Sequence, residues 1–206
     1  MIKARHHMVI YPLFLWLSRF MIKWNFCSTH FEGEFNDNGH SVLVVANHIS
    51  WWDGFWVEFL NYKRIHRKLH FMMLEEQLKK HWYFQYAGGY SVRKHSRESI
   101  ESIDYTVKLL NKDENFVLMF PQGKIYSSHT DAVHFENGIQ YIIKKCKDAT
   151  QVMFVVNITD YFSNVKPHLF IYIKTCTIGF LRNKDIEEEY NLFFTEVLNK
   201  HKTKTS

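Results

Sequence analysis

Asn47-His48-Ile49-Ser50-Trp51-Trp52-Asp53 sets a histidine five residues ahead of an aspartate. Histidine is the side chain most easily poised to take a proton near neutral pH. A carboxylate on one ring nitrogen fixes the tautomer, presents the other nitrogen as an acceptor and stabilises the imidazolium that forms. The chemistry open to this pair is general-base catalysis, with His48 taking the proton and Asp53 orienting the ring. Asp53 should stay ionised if it lies at a helix N-terminus, where the macrodipole favours negative charge. Two purely structural readings stand beside this one. His48 could be a hydrogen-bonded residue at a strand end, and Asp53 the far half of a capping box begun at Ser50.

All of these readings need a strand-to-helix turn, and the flanking residues supply one. Residues 41–46 (Ser-Val-Leu-Val-Val-Ala) are short, apolar and β-branched, as in an interior strand. Trp52, Phe55, Trp56, Phe59 and Leu60 then repeat at helical spacing, with Ser50 as the expected N-cap. Open α/β sheets place their chemistry in such turns. Further strands are expected at 69–73, 90–92, 115–120, 151–157 and 169–174. Between them lie a helix capped by Ser96 with Ile100, Ile103, Val107 and Leu110 inward, and a helix after Asn137-Gly138 carrying Ile139, Ile142, Ile143 and Cys146. A charged helix over 184–200 closes the chain, and 203–206 should fray. Pro121 and Gly123 break the chain in a second turn. The alternation predicts a single α/β domain with a mixed, mostly parallel sheet flanked by helices.

Taken together, the motifs resemble those of the glycerolipid acyltransferase superfamily, which includes lysophosphatidic acid and glycerol-3-phosphate acyltransferases. Asn47 to Asp53 is similar to that family's first block, Asn-His, four residues, then Asp. Gly88-Gly89-Tyr90-Ser91-Val92-Arg93-Lys94 resembles the second, and Phe120-Pro121-Gln122-Gly123-Lys124 the third, usually Phe-Pro-Glu-Gly-Thr-Arg. Phe135 and Gly138 match residues that tend to follow, and 152–157 stands where a fourth, proline-containing strand is expected. The blocks run in family order from about 41 to 157. The departures are Gln122 for Glu, Lys124 for Thr, Ile125 for Arg, and no proline in the fourth block. The resemblance implies that Arg93, Lys94, Pro121, Gln122, Gly123 and Lys124 border the acceptor. Lysine neutralises a phosphate as a point charge but lacks arginine's bidentate fork, so the acceptor stays open.

Composition sets the surroundings. The chain has 206 residues, a formal charge of +5 and 17% aromatic residues, including 6 Trp and 18 Phe. That balance favours an anionic membrane surface or an acidic acyl carrier, and no nucleic-acid module is recognisable. Cys27, Cys146 and Cys176 are widely spaced and read as reduced thiols. Thirteen histidines form no zinc signature, so no metal is expected and the histidines other than His48 read as surface residues. Residues 8–17 are apolar but too short to span a bilayer, which needs about 20 such residues. With Lys3, Arg5, Arg19 and Lys23 as cations and Trp16, Phe20, Trp24 and Phe26 as aromatics, 1–30 reads as an amphipathic segment. It either lies in the membrane surface or packs on the core, and the acyltransferase domain follows at 31–206.

The resemblance implies a peripheral enzyme on the cytoplasmic face of the membrane. It would move a fatty acyl group from acyl-CoA or acyl carrier protein, as co-substrate, to a hydroxyl of a lysophospholipid-like acceptor. No Ser or Cys nucleophile motif is present, which points to direct transfer without an acyl-enzyme and without a cofactor. Two alternatives are an acyltransferase acting on a non-phosphate lipid and a lipid-binding protein without catalysis.

Overall fold

The computed structural model describes residues 1–93 and 98–205. Among these, strands β1 (Ser28–Glu32), β2 (Val42–Ala46), β3 (Lys68–Leu74), β4 (Gly89–Val92), β5 (Asn115–Met119), β6 (Gln151–Asp160) and β7 (His168–Thr177) form one sheet. Its order is β1-β7-β6-β2-β5-β3-β4, and every neighbouring pair is parallel except β6 with β7. The helices are α1 (Ile10–Asn25), α2 (Asp53–Leu60), α3 (Glu75–Lys80), α4 (Glu98–Leu110), α5 (Gly138–Lys145), α6 (Ile178–Leu181) and α7 (Ile186–Lys202). The domain is α/β, with a mostly parallel sheet, as the alternation of patterns predicts.

The central strands are buried on both faces, which is why they read as unbroken apolar runs. Leu43, Val45, Val117, Val152 and Phe154 meet Leu109, Ile142, Tyr190 and Phe194 on the side of α4, α5 and α7. Val42, Val44, Phe116, Leu118 and Val155 meet Ile22, Trp56 and Leu60 on the side of α1 and α2. Because β2, β5, β3 and β4 are parallel, their C-terminal ends share one edge of the sheet. The turns after β2 and β5 carry the first and third motifs, and they are neighbours there.

α1 has two apolar faces. Tyr11, Phe14 and Ile22 pack into the core against α2, with the Phe14 and Phe55 rings 5.2 Å apart. Leu13, Trp16, Leu17, Phe20 and Trp24 face outward, and Trp16, Phe20 and Trp24 stack in a row at 5.6 and 6.1 Å. One apolar face of the helix is thus covered by the core and the other is exposed. No helix among the described residues is long and apolar enough to cross a membrane.

Several expectations change. Ser50 does not cap α2, which begins at Asp53 after Trp52; its hydroxyl instead accepts from the Trp52 N–H at 3.2 Å. β1 had no pattern to announce it, since Ser-Thr-His-Phe-Glu carries one apolar residue and owes its extension to pairing with β7. β6 and β7 run longer than their apolar cores because antiparallel pairing carries them outward to Asp160 and His168. α7 starts at Ile186 and is capped by Asp185, whose side chain accepts from the N–H groups of Glu187 and Glu188. Not all the remaining histidines are surface residues. His70 is buried on β3 and held by Asn115. Ser96, Lys94 and Ser206 lie outside the described residues.

Candidate active site

The turn after β2 holds His48 and Asp53 together. His48 Nδ1 lies 2.8 Å from Asp53 Oδ2. The same oxygen accepts the backbone N–H groups of Ile49 at 2.7 Å and Ser50 at 2.8 Å. Of the capping box only the Asp53 half forms, its carboxylate accepting the Ser50 N–H while the Ser50 hydroxyl turns to Trp52. A carboxylate that caps the turn by binding Ser50 N–H is the group that binds the imidazole.

Asp53 is fully buried while His48 keeps part of its ring in contact with solvent. Burial raises the Asp53 carboxyl above its ordinary range, by more than the bonds from His48, Ser50 and Ile49 lower it. Its Oδ1 has no hydrogen-bond partner, so no acceptor is in place for a proton there, and Oδ2 already receives three donors. Two backbone donors on Oδ2, with His48 Nδ1 beside them, are the partners that suit an ionised carboxylate. Asp53 takes its proton-side bond from His48 Nδ1–H, which leaves Nε2 as the acceptor.

The turn after β5 supports the histidine rather than only standing near it. The Phe120 ring stacks on the imidazole with centroids 4.2 Å apart and planes 15° apart. Gln122 is buried, and its Oε1 accepts the His48 N–H at 2.6 Å. Its Nε2 donates to the His48 carbonyl at a longer 3.4 Å, where the Tyr126 N–H also donates at 2.8 Å. Gly123 donates its N–H to the Phe120 carbonyl at 3.1 Å, and its φ of 63°, the left-handed region where a side chain is strained, turns the chain onward toward Lys124. Pro121 is buried, and its carbonyl accepts from Glu136.

Asn47 fixes the end of β2 in the same way. Its Oδ1 accepts the Asn157 N–H at 2.8 Å and its Nδ2 donates to the Asn157 carbonyl at 3.0 Å, joining β2 to β6. Sequence reasoning missed the roles of Asn47, Phe120 and Gln122 as supports, although all three lie inside the quoted motifs. The signal is their place in the motif; their partners are over 70 residues away in sequence.

The predicted cations are placed unequally. Lys124 is exposed in the turn beside His48, with its Nζ 5.5 Å from the Tyr126 ring. Arg93 follows β4, three strand spacings from β2 along the edge, or about 14 Å. Its guanidinium binds Glu75 at 2.6 Å, and Lys79 joins the same carboxylate at 2.8 Å. Those two cations hold Glu75 down to about 2. Burial pushes the thiols of Cys146 and Cys176 up to about 11, which leaves them poor nucleophiles. Among the described residues no cluster of three or more His, Cys, Asp or Glu side chains could hold a metal ion.

A family model described as Acyltransferase matches residues 28–160. Among solved structures, the crystal structure of the 1-acyl-sn-glycerophosphate (LPA) acyltransferase PlsC from Thermotoga maritima has a similar fold. The TM-score is 0.62 at 18% identity, over 95% of this chain and 81% of that one. No curated protein matches in a sequence comparison.

Proposed function

Because the chain belongs to the acyltransferase family, we propose that it transfers a fatty acyl group from a thioester to a hydroxyl of a lysophospholipid-like acceptor such as 1-acylglycerol-3-phosphate. The observation that carries this reading is the His48–Asp53 contact of 2.8 Å, with the ring half-buried and the carboxylate sealed from solvent. His48 Nε2 takes the proton of the acceptor hydroxyl as its oxygen attacks the thioester carbonyl carbon. The carbon–sulfur bond then breaks, and the leaving thiolate takes the proton back from the imidazolium. Asp53 balances the charge on the ring between these steps. Direct transfer is supported by the two cysteines with raised thiols, and the donor is acyl-CoA or acyl carrier protein.

The acceptor's phosphate would meet Lys124, an exposed cation in the turn after β5 that carries Phe120 and Gln122. A neutral lipid acceptor is the second reading, favoured by Ile125 where the family carries arginine and by the engagement of Arg93 with Glu75. A lipid-binding protein without catalysis has less support, since nothing in simple binding calls for a buried carboxylate on an accessible histidine.

The enzyme would work at a membrane surface, on the cytoplasmic face, held by the outward Trp16, Phe20 and Trp24 row of α1. Thioester turnover by the purified protein with matched phosphorylated and neutral lysolipids tests the proposal. Release of free thiol that depends on a phosphorylated lysolipid is the expected result. Turnover only with neutral acceptors moves the conclusion to the second reading, and no turnover with either class refutes both.

A further inference from the structure

α1 is joined at its surface by two other segments. Arg19 of α1 lays its guanidinium 3.5 Å from the centre of the Tyr62 ring, in the turn of π-helix Asn61–Ile65 that follows α2. Toward the end of α1, Lys166 from the 161–167 loop between β6 and β7 donates to the Trp24 carbonyl at 2.5 Å, and its Nζ lies 5.3 Å from the Trp24 ring. To the exposed row of Trp16, Phe20 and Trp24 these segments add Tyr62, Tyr161 and Val165, the last 97% exposed.

The charge on these segments has one sign. Lys23, Lys63, Arg64 and Lys166 are exposed, and α1, 61–65 and 161–167 contain neither Asp nor Glu. Three neighbouring carboxylates turn elsewhere. Glu58 is buried on α2 and set against Arg19, Asp160 lies 3.5 Å from His201, and Glu32 is taken by Lys200 and Lys204. Lys63 and Arg64 hold their charged ends 5.5 Å from the Tyr62 ring and 5.7 Å from the Phe31 ring. Trp and Tyr edged by Lys and Arg settle at a headgroup boundary, where the rings are half wet and the cations meet anionic lipid. The loop fixes the side on which a bilayer lies. Asn47, next to His48, bonds the Asn157 backbone, and β6 runs three residues further to Asp160. Tyr161 and Val165 follow beyond the edge of the sheet that carries the catalytic turn, about 10 Å or more past Asn157.

We infer that α1, the 61–65 turn and the 161–167 loop form one docking surface for a bilayer of net negative charge. The rings enter the headgroup boundary, and Lys23, Lys63, Arg64 and Lys166 meet anionic headgroups. The inference rests on the α1 anchor proposed above, and adds to it a charge requirement and two further contacts. The loop brings the bilayer to the edge of the sheet where His48 lies, so a lipid acceptor approaches the base from the membrane side.

The full chain is sedimented with vesicles of phosphatidylcholine alone and of phosphatidylcholine mixed with phosphatidylglycerol. Binding to the mixed vesicles should be roughly tenfold tighter or more, and the gain should vanish at high salt. The variant Lys23→Ala/Lys63→Ala/Lys166→Ala, altered only at exposed positions, should lose roughly tenfold to a hundredfold on mixed vesicles and nothing on neutral ones. Tyr161→Ser/Val165→Ser should weaken binding to both vesicles roughly tenfold, because the loss there is of apolar contact. Melting temperatures confirm that each variant is folded. Equal binding of the native chain to both vesicles, or a lysine variant that keeps the preference for mixed ones, overturns the charge requirement and leaves the α1 anchor standing. Native-like binding by the Tyr161→Ser/Val165→Ser variant overturns the part given to the loop. Binding of the native chain to neither vesicle defeats the anchor together with this inference.

Discussion

Gln122 grips the backbone of His48 at both its N–H and its carbonyl, from a turn that follows a different strand. The carboxamide is suited to this because one end accepts and the other donates. An ionised glutamate, usual at this position in the family, could accept the His48 N–H but would offer no donor to the carbonyl. The departure from the family pattern is therefore matched to a local partner.

Removing that grip should act on catalysis through the position of the ring. Gln122→Ala is expected to lower kcat about tenfold or more with little change in the thioester KM, and to cost about 1–3 kcal/mol of stability. Gln122→Glu keeps the 2.6 Å bond and should recover most of the activity. Steady-state kinetics with urea unfolding of both variants checks this. An inactive Gln122→Glu beside an active Gln122→Ala would contradict a positioning role.

The catalytic pair gives a sharper expectation. His48→Ala should abolish transfer while remaining folded, since the ring is partly exposed. Asp53→Asn should lose on the order of a hundredfold or more in kcat, because the amide cannot hold the productive tautomer. It should also lose stability, since two backbone N–H groups share the carboxylate. Near-normal turnover by a folded His48→Ala protein would remove the histidine from the mechanism.

Lys124 tests the acceptor. If a phosphate docks there, Lys124→Ala should raise the acceptor KM roughly tenfold to a hundredfold and spare the thioester KM. Equal use of phosphorylated and neutral acceptors by the native protein, unaltered in the variant, would favour the neutral-lipid reading.

The outward face of α1 can be altered without touching its inward one. Replacing Trp16, Phe20 and Trp24 with serine should leave the fold intact, because those rings point away from the core. Vesicle partitioning should fall roughly tenfold to a hundredfold if they enter a bilayer. Sedimentation with anionic vesicles measures it, and unchanged binding by the folded triple variant would exclude this face as the anchor.

Glu58 gives the fold a pH dependence of known sign. It is buried on α2, and burial pushes its carboxyl up to about 7 against the pull of Arg19. The folded state thus holds this proton more tightly than the unfolded chain. Its contribution is most favourable below the ordinary value of 4.5 and is lost as pH rises through about 7, on the order of 3 kcal/mol. Glu58→Gln should flatten that decline, and melting temperatures at about pH 5 and pH 8 should then differ by several degrees less than in the native protein. An unchanged difference would show that another group sets it.

The sequence by itself determined the elements whose pattern is local. Residues 42–46 and 115–119 are unbroken apolar runs because both faces of a central parallel strand are covered, and that requirement is written into each residue. The spacing from His48 to Asp53 is likewise local, since one turn before a helix returns the carboxylate to the ring. Tertiary structure decided the rest. β1 exists because β7 offers it a ladder, and its own residues carry no signal of burial. Gln122 and Asn47 became supports of the turn only once β5 and β6 were laid on either side of β2. The pairing of Arg93 with Glu75, 18 residues before it, likewise came from the fold, which sets α3 beside the end of β4. His70, one histidine among thirteen, became a buried residue held by Asn115 because β3 lies against β5 there. Hydrogen bonds between distant segments are chosen by strand order, and strand order is a property of the assembled sheet.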